Sequence, residues 1–167
     1  MTPPLRGGVK AVVIGGGITG LAVTDELTRR GVRVDLLERS AELGQEASAA
    51  AAGILAPQSE AEGPGPFLHL LLAAAQMIPE AVSRLEALTG ISIGHRVSGL
   101  LALAFSDADR QALERALEWQ TQVGLTPEWV NPQAARRMEP ALDGPLQAAV
   151  YWPQTAVLDP RRFVQAY

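Results

Sequence analysis

The chain has no cysteine among its 167 residues, which excludes disulfides, thiolate metal sites, a cysteine nucleophile and a cofactor attached through sulfur. Its two histidines, His69 and His95, fall in an apolar helical stretch and a loop, and no metal site can be built from them. Cations are also scarce. With 14 Lys and Arg against 18 Asp and Glu, the net charge is −4, so the basic surface that neutralises nucleic-acid phosphates is missing and no nucleic-acid partner is expected. A local anion site built from main-chain groups survives that exclusion. Aromatic residues make up 5%, and the widely spaced Trp119, Trp129 and Trp152 suit core packing.

Long apolar runs are lacking too. The longest, residues 47–56 and 67–78, fall short of the roughly 20 residues that cross a bilayer, and the second contains His69 and Gln76. The first nine residues have no basic start followed by an apolar stretch, so no secretory signal is expected. Together these absences lead to the expectation of a cytoplasmic chain without a membrane span. An apolar content of 47% and a charged content of 19% describe a globular protein able to bury a core. At roughly 100–200 residues per domain, the length allows one domain or one domain and part of a second.

Along the chain, Ala11, Val12, Val13 and Ile14 form a short apolar run ending at Gly15, the pattern of a strand buried on both faces of a parallel sheet. Leu21, Ala22, Thr24 and Leu27 then recur with helical spacing, Arg29 and Arg30 lie in the last turn, and Gly31 stops the helix. Val32, Val34, Leu36 and Leu37 make a second β-rich segment closing at Glu38. A small-residue loop over 47–56 and a Pro/Gly linker over 62–66 lead to a helical stretch over 67–88, where Pro79 is expected to cause a kink or break. Residues 100–105 read as a strand with Leu101, Leu103 and Phe105 on one face. Ser106 with Asp109 forms a capping box for a helix ending at Gly124, and Asn131-Pro132 opens another that Pro140 stops. Residues 148–152 suit a further strand. Asp159-Pro160 starts a last helix too short to be stable alone, and two early parallel strands are too few for a doubly wound sheet. The sequence therefore reads as part of a longer protein.

Gly15, Gly17 and Gly20 spell G-x-G-x-x-G. With 16 glycines in 167 residues, chance alone yields about 0.14 such triplets per chain, so the triplet decides nothing without its context. Here it follows a strand, opens a helix, and is followed by an acid, Glu38, eighteen positions after Gly20, close to the spacing that dinucleotide recognition requires. Gly15 permits the tight turn, Gly17 lets the main chain approach a pyrophosphate, and Gly20 lets the helix pack on the strand. The helix N-terminus, at Ile18 and Thr19, offers free N–H groups and the positive end of its dipole to the phosphates. Glu38 accepts hydrogen bonds from a ribose diol, and its charge opposes a 2′-phosphate. Spacing does not separate FAD from NAD, since both carry ADP.

The N-terminal pattern resembles the FAD-binding start of the flavin-dependent D-amino-acid oxidase superfamily. Ser48-Ala49-Ala50-Ala51-Ala52-Gly53-Ile54-Leu55-Ala56-Pro57 is similar to the flavin loop of its glycine oxidase branch from thiamine biosynthesis. Gly99-Leu100-Leu101-Ala102-Leu103-Ala104-Phe105, the stretch from Pro132 to Leu142, and Val157-Leu158-Asp159-Pro160 resemble later landmarks of that branch in the same order. The resemblance covers nearly the whole chain, and members of the branch run to more than twice its length. It implies an α/β, Rossmann-like FAD/NAD(P)-binding fold, here incomplete, with part of a β-rich substrate domain. It also implies non-covalent FAD, an adenosine contact from Arg39, a pyrophosphate contact from Ser48, and main-chain groups of Ala51, Ala52, Gly53, Ile54 and Leu55 beside the flavin ring. Thr24, Ala47 and Ala49 depart from the branch pattern, which affects individual polar contacts rather than the site.

By the same resemblance the complete enzyme oxidises a small amino acid or amine, glycine foremost. The products are a 2-oxo acid (glyoxylate from glycine), ammonia and hydrogen peroxide, with oxygen as co-substrate. The substrate-binding arginine and its aromatic neighbours lie beyond this chain, so no catalytic residue is assigned within it. The division expected is an FAD-binding βαβ unit, loop and helix over 1–85, part of a substrate or interface domain over 86–156, and a return to the FAD-binding domain over 157–167. Partners expected are the substrate, oxygen, the C-terminal half of the same protein and a second copy in a homo-oligomer. Three other readings stand beside this one: a sarcosine oxidase or D-amino-acid dehydrogenase, an NAD-binding module, and a nucleotide-binding fragment inactive without its other half.

Overall fold

The structure is a computed structural model that describes residues 9–167. The start of the chain, where no signal segment is expected, lies largely outside the described residues. In order, the elements are β1 (Lys10–Ile14), α1 (Ile18–Arg29), β2 (Arg33–Leu37), α2 (Ala47–Ala50), β3 (Ile54–Leu55), α3 (Pro57–Glu60), α4 (Pro66–Thr89) and β4 (Arg96–Val97). There follow β5 (Leu100–Ala104), α5 (Asp107–Gln122), β6 (Glu128–Val130), α6 (Pro132–Met138), β7 (Ala148–Trp152), β8 (Ala156–Val157) and α7 (Pro160–Ala166). They fall into two compact units. One holds the chain up to Gly53 with Glu80–His95 and Leu158–Tyr167, and the other holds Ile54–Pro79 with Arg96–Val157.

In the first unit β1 and β2 pair in parallel, from Lys10 opposite Arg33 to Ile14 opposite Leu37, with α1 as the crossover. The expectation that the first strand is buried on both faces needs correction. Alternate residues point to opposite faces: Ala11 and Val13 are half-buried, whereas Val12 is 56% and Ile14 85% exposed. The reason is that this sheet has only these two strands among the described residues, with α1 packed on one face. Leu21 is the buried anchor of α1. The Thr24 hydroxyl, where apolar packing would be served by alanine, is buried without a hydrogen-bond partner among the described residues.

The expected interruption at Pro79 is not a break, because α4 continues through it to 24 residues. Pro79 is exposed, so water can replace the amide donor that proline removes. That continuity gives α4 the length and mean hydropathy, 1.2, of a bilayer span by length and composition alone. Its last half carries two buried side chains and an ion pair. Within the first unit Val82 and Leu85 are 5% and 3% exposed, and Arg84 makes a two-pronged ion pair with Asp25 of α1. At the far end of the same unit, Asp159 Oδ1 accepts from the amides of Arg161 (2.9 Å) and Arg162 (3.1 Å), opening α7 as its sequence signature requires. Burial of Phe163 and Ala166 supplies the stability that seven residues lack by themselves.

The second unit is built on an antiparallel sheet in the order β5-β7-β6, with a smaller sheet in the order β3-β8-β4. Leu101 and Leu103 pack with Val130, Ala135, Leu146 and Ala149. Phe105, expected on the same face, is 43% exposed, because the strand ends at Ala104 and the Phe105 amide turns to Asp109 Oδ2 at 3.2 Å. The reciprocal capping box between Ser106 and Asp109 is present. Trp152 is buried, whereas Trp129 on the edge strand β6 stays 39% exposed.

One buried side chain ties three elements of this unit together. Gln120, 1% exposed, accepts from the Trp152 indole N–H at 2.7 Å and donates to the Gln58 carbonyl at 3.0 Å. Replacing it with leucine strands the indole N–H in the interior, which costs about 1–3 kcal/mol. Gln120→Leu is therefore expected to lower the urea midpoint of unfolding with an unchanged m value, and an unchanged midpoint would contradict the role assigned to Gln120.

Candidate nucleotide-binding site

The turn between β1 and α1 takes its shape from its glycines. Gly15 has φ +105°, which side-chain-bearing residues rarely adopt, and its amide donates to the Leu37 carbonyl at 2.8 Å. Gly20 sits where a Cβ would lie 1.9 Å from the Gly15 carbonyl oxygen, so any side chain would push the helix off the turn. Gly17 is the N-cap of α1, with extended backbone and no side-chain cap. Gly15 thus makes the tight turn and Gly20 the close helix packing that the motif reading gives them. Gly16, the x of the pattern, is as demanding. It is buried, and a Cβ there would meet Leu43 Cδ2 at 2.4 Å and Glu38 Oε2 at 3.2 Å.

Glu38 closes β2 with its carboxylate turned back onto this turn. Oε2 accepts from the Gly16 amide at 2.7 Å and Oε1 from the Ser40 amide at 2.8 Å. Those two bonds, Ser40's above Gly16's, hold its pKa below the ordinary glutamate value. A carboxylate offers about four acceptor positions, so these two bonds do not exhaust its capacity to accept.

Beside these groups lies a cleft of 460 Å³ lined by the glycine turn, the first turn of α1, Val23, Glu38, Ser40 and the residues from Gly44 to Ser48. Two carboxylates, those of Glu38 and Glu46, line it, and among the described residues no Lys, Arg or His does. Its positive character comes from the main chain. The amides of Gly17, Thr19 and Gly20 have no acceptor among the described residues, while that of Ile18 donates to Ser48 Oγ at 2.9 Å. A helix N-terminus with free N–H groups, facing a hollow that glycines keep clear of Cβ atoms, suits a pyrophosphate without any cationic side chain. The residues present fit a dinucleotide: amides for the phosphates and Glu38 for the ribose.

Gly15, Gly17, Ile18, Thr19, Gly20, Glu38 and Ser48 thus converge on one cleft. Arg39 does not line it. Its guanidinium pairs with Glu46, which raises its pKa, and its side chain is 80% exposed. Ala51 and Ala52 are exposed just past α2, which is a helical turn where a plain loop was expected. Gly53, at φ +77°, has a strict packing reason to be glycine, since a Cβ would lie 2.0 Å from the Leu158 carbonyl oxygen. Ile54 and Leu55 form β3 in the second unit, with Ile54 53% exposed.

The sequence reading missed Gly16, Ser40 and Gly44. The Gly44 amide donates to the Gly16 carbonyl at 2.9 Å, and its Cβ position is filled by Val164. The available signals were a third consecutive glycine and a small residue two positions after the acid.

A carboxylate whose pKa is lowered by folding stabilises the fold above its unfolded pKa and loses that contribution as pH falls through the folded value. Acid titration should therefore show the wild-type chain losing stability below the ordinary glutamate range, with a Glu38→Gln variant losing less over the same interval. Parallel curves would remove Glu38 from the account. Gly20→Ala should unfold or displace the turn, seen as a lost cooperative thermal transition or lost nucleotide binding.

The family described as FAD dependent oxidoreductase matches residues 10–167. The chain is 34% identical over 142 residues to glycine oxidase of Geobacillus kaustophilus, covering 84% of this chain and 37% of that protein. It is 32% identical over 155 residues to the bifunctional protein ThiO/ThiG of Synechocystis, covering 93% of this chain and 22% of that one. The crystal structure of the Geobacillus kaustophilus glycine oxidase superposes with a TM-score of 0.89 at 32% identity, over 94% of this chain and 42% of that structure. The chain thus spans well under half the length of the relatives it matches. With the α/β, Rossmann-like unit and its cleft in place, the match from β1 to the last residue makes this chain a member of the FAD-dependent oxidoreductase family.

Proposed function

We propose that this chain is the N-terminal, FAD-binding portion of an amino-acid oxidase acting on glycine or a similarly small amino acid. The observation that carries the reading is the cleft at the start of α1, where unpaired amides and the Glu38 carboxylate meet. In this reading the ADP half of FAD lies in that cleft without a covalent bond. The free amides of Gly17, Thr19 and Gly20 and the hydroxyl of Ser48 meet the pyrophosphate, and Glu38 takes the ribose diol. Arg39 contacts the adenosine end, and residues 51–55 provide small and apolar surface for the ring.

Bound FAD supplies two-electron oxidation of the substrate's carbon–nitrogen bond and passes the electrons to oxygen. This chain's residues bind and orient the cofactor. The groups that hold the substrate carboxylate belong to the polypeptide that extends the relatives beyond this match, and a cytoplasmic enzyme working as a homo-oligomer completes the proposal. Residues 86–156, centred on the antiparallel sheet β5-β7-β6, are assigned to the substrate or interface domain, and residues 157–167 to the return toward the FAD-binding domain.

Two measurements test this. Acid release of the bound nucleotide followed by mass determination is expected to return FAD, and NAD or an empty protein after incubation with FAD would reject the assignment. Peroxide release by the complete protein is expected with glycine, whereas turnover of sarcosine or D-alanine instead, or activity independent of oxygen, would redirect it to another amine oxidoreductase. Glu38→Ala should weaken FAD binding about tenfold or more by flavin fluorescence.

A further inference from the structure

We infer that Val164 of α7 is a positioning residue for the cleft, acting through Gly44 on the glycine turn. Its hold on the loop stands on contacts alone; the consequence for ligand affinity rests on the nucleotide reading above. The loop from Gly44 to Gly53 supplies one wall of the cleft through Gly44, Gln45, Glu46, Ala47 and Ser48. Its one regular element is the four-residue α2, too short to hold a conformation by itself. The loop is fixed from outside.

The segment over 158–164 holds it at both ends. At the far end the Leu158 amide donates to the Gly53 carbonyl at 3.0 Å, and a Cβ on Gly53 would collide with the Leu158 carbonyl. At the near end a Cβ on Gly44 would lie 2.6 Å from Val164 Cγ1 and 3.0 Å from Cγ2, so the two methyls occupy the place a side chain would take. They form a rigid stop. Phe163 and Ala166, on either side of Val164, are buried and fix α7, and a valine in a helix has one strongly preferred rotamer.

From Gly44 the contact passes to the glycine turn. The Gly44 amide donates to the Gly16 carbonyl at 2.9 Å, and the Gly16 amide donates to Glu38 Oε2 at 2.7 Å. Leu43, the preceding residue, also lies against Gly16, in the place a Cβ there would need. Moving Gly44 therefore moves the donor that holds the Gly16 carbonyl, and with it the seat of the Glu38 carboxylate. Val164 does not line the cleft. Its part is to set how closely the loop wall approaches the turn, and hence the width available to a ligand between them.

The test uses the full chain as wild type, Val164→Ala, Gly44→Ala and the double variant, with amide hydrogen exchange at Gly44 and titration with ADP. Gly44→Ala is expected to weaken ADP binding about tenfold by overpacking against Val164. Adding Val164→Ala is expected to restore most of that loss, because the nearest remaining atom, the Cβ at position 164, lies 3.3 Å away. Backbone strain at position 44, where φ is +67°, falls equally on both variants, so their difference reads the contact alone. Val164→Ala by itself is expected to speed Gly44 exchange about tenfold and to leave exchange at Val150 in β7 unchanged. A double variant as weak as Gly44→Ala, or unchanged Gly44 exchange in Val164→Ala, overturns the inference. If Gly44→Ala unfolds the chain, a cooperative thermal transition that returns in the double variant supports the contact, and one that stays lost overturns it. If the wild type binds neither ADP nor FAD, the nucleotide reading fails and the effect on affinity with it, while Gly44 exchange still decides whether Val164 holds the loop.

Discussion

The site depends on one constraint: the amides of Gly17, Thr19 and Gly20, which have no acceptor among the described residues, sit in a turn that must be held in place by other groups. Free amides beside an apolar strand end invite replacement contacts, and an unpaired donor is costly unless water or an anion serves it. The Glu38 carboxylate fixes the turn by accepting from Gly16 on one side and Ser40 on the other. Gly44 adds a second hold through its bond to the Gly16 carbonyl. The amide of Gly16 is thus paired with Glu38, while those of Gly17, Thr19 and Gly20 have no acceptor among the described residues.

That division of labour explains an electrostatic oddity. A cleft suited to a pyrophosphate is lined, among the described residues, by two carboxylates and no cationic side chain. Glu38 spends charge on amides, and Glu46 is neutralised by Arg39 at the rim. Neither presents a bare negative charge to the helix end, where the dipole and the free donors act. A lysine or arginine in the same place would attract many anions. Directional amides at a fixed spacing select one shape.

The two units differ in how they are made stable. In the first, β1 and β2 leave Val12, Ile14 and Leu37 exposed on one face, and cohesion comes from α1, the last half of α4 and α7. In the second, residues distant in sequence close a small core around Val130, Ala135, Leu146 and Ala149, with Gln120 linking α5, β7 and the carbonyl of Gln58 through hydrogen bonds. The cleft lies in the first unit, so the contacts of Glu38 and Gly44 that shape it also hold that unit together.

Much of this was legible in the residues themselves. Local chemistry determined the strand, glycine turn, helix and strand at the start, the caps at Ser106, Asn131 and Asp159, and the acid at 38, because each follows from backbone preferences within a few neighbours. Other outcomes were tertiary. Two-residue strands such as β3, β4 and β8 exist only through partners elsewhere in the chain and leave no periodic trace. Whether α4 passes through Pro79, and whether Val12 is covered, depends on what packs there, which spacing does not record. The same holds for the Gly16 amide meeting Glu38 and the Ile18 amide meeting Ser48. Sequence alone places a nucleotide-type turn and its acid. Only the folded chain decides which amides are spent holding that turn and which remain free, since hydrogen-bond partners 22 and 30 residues apart are brought together by packing, not by local preference.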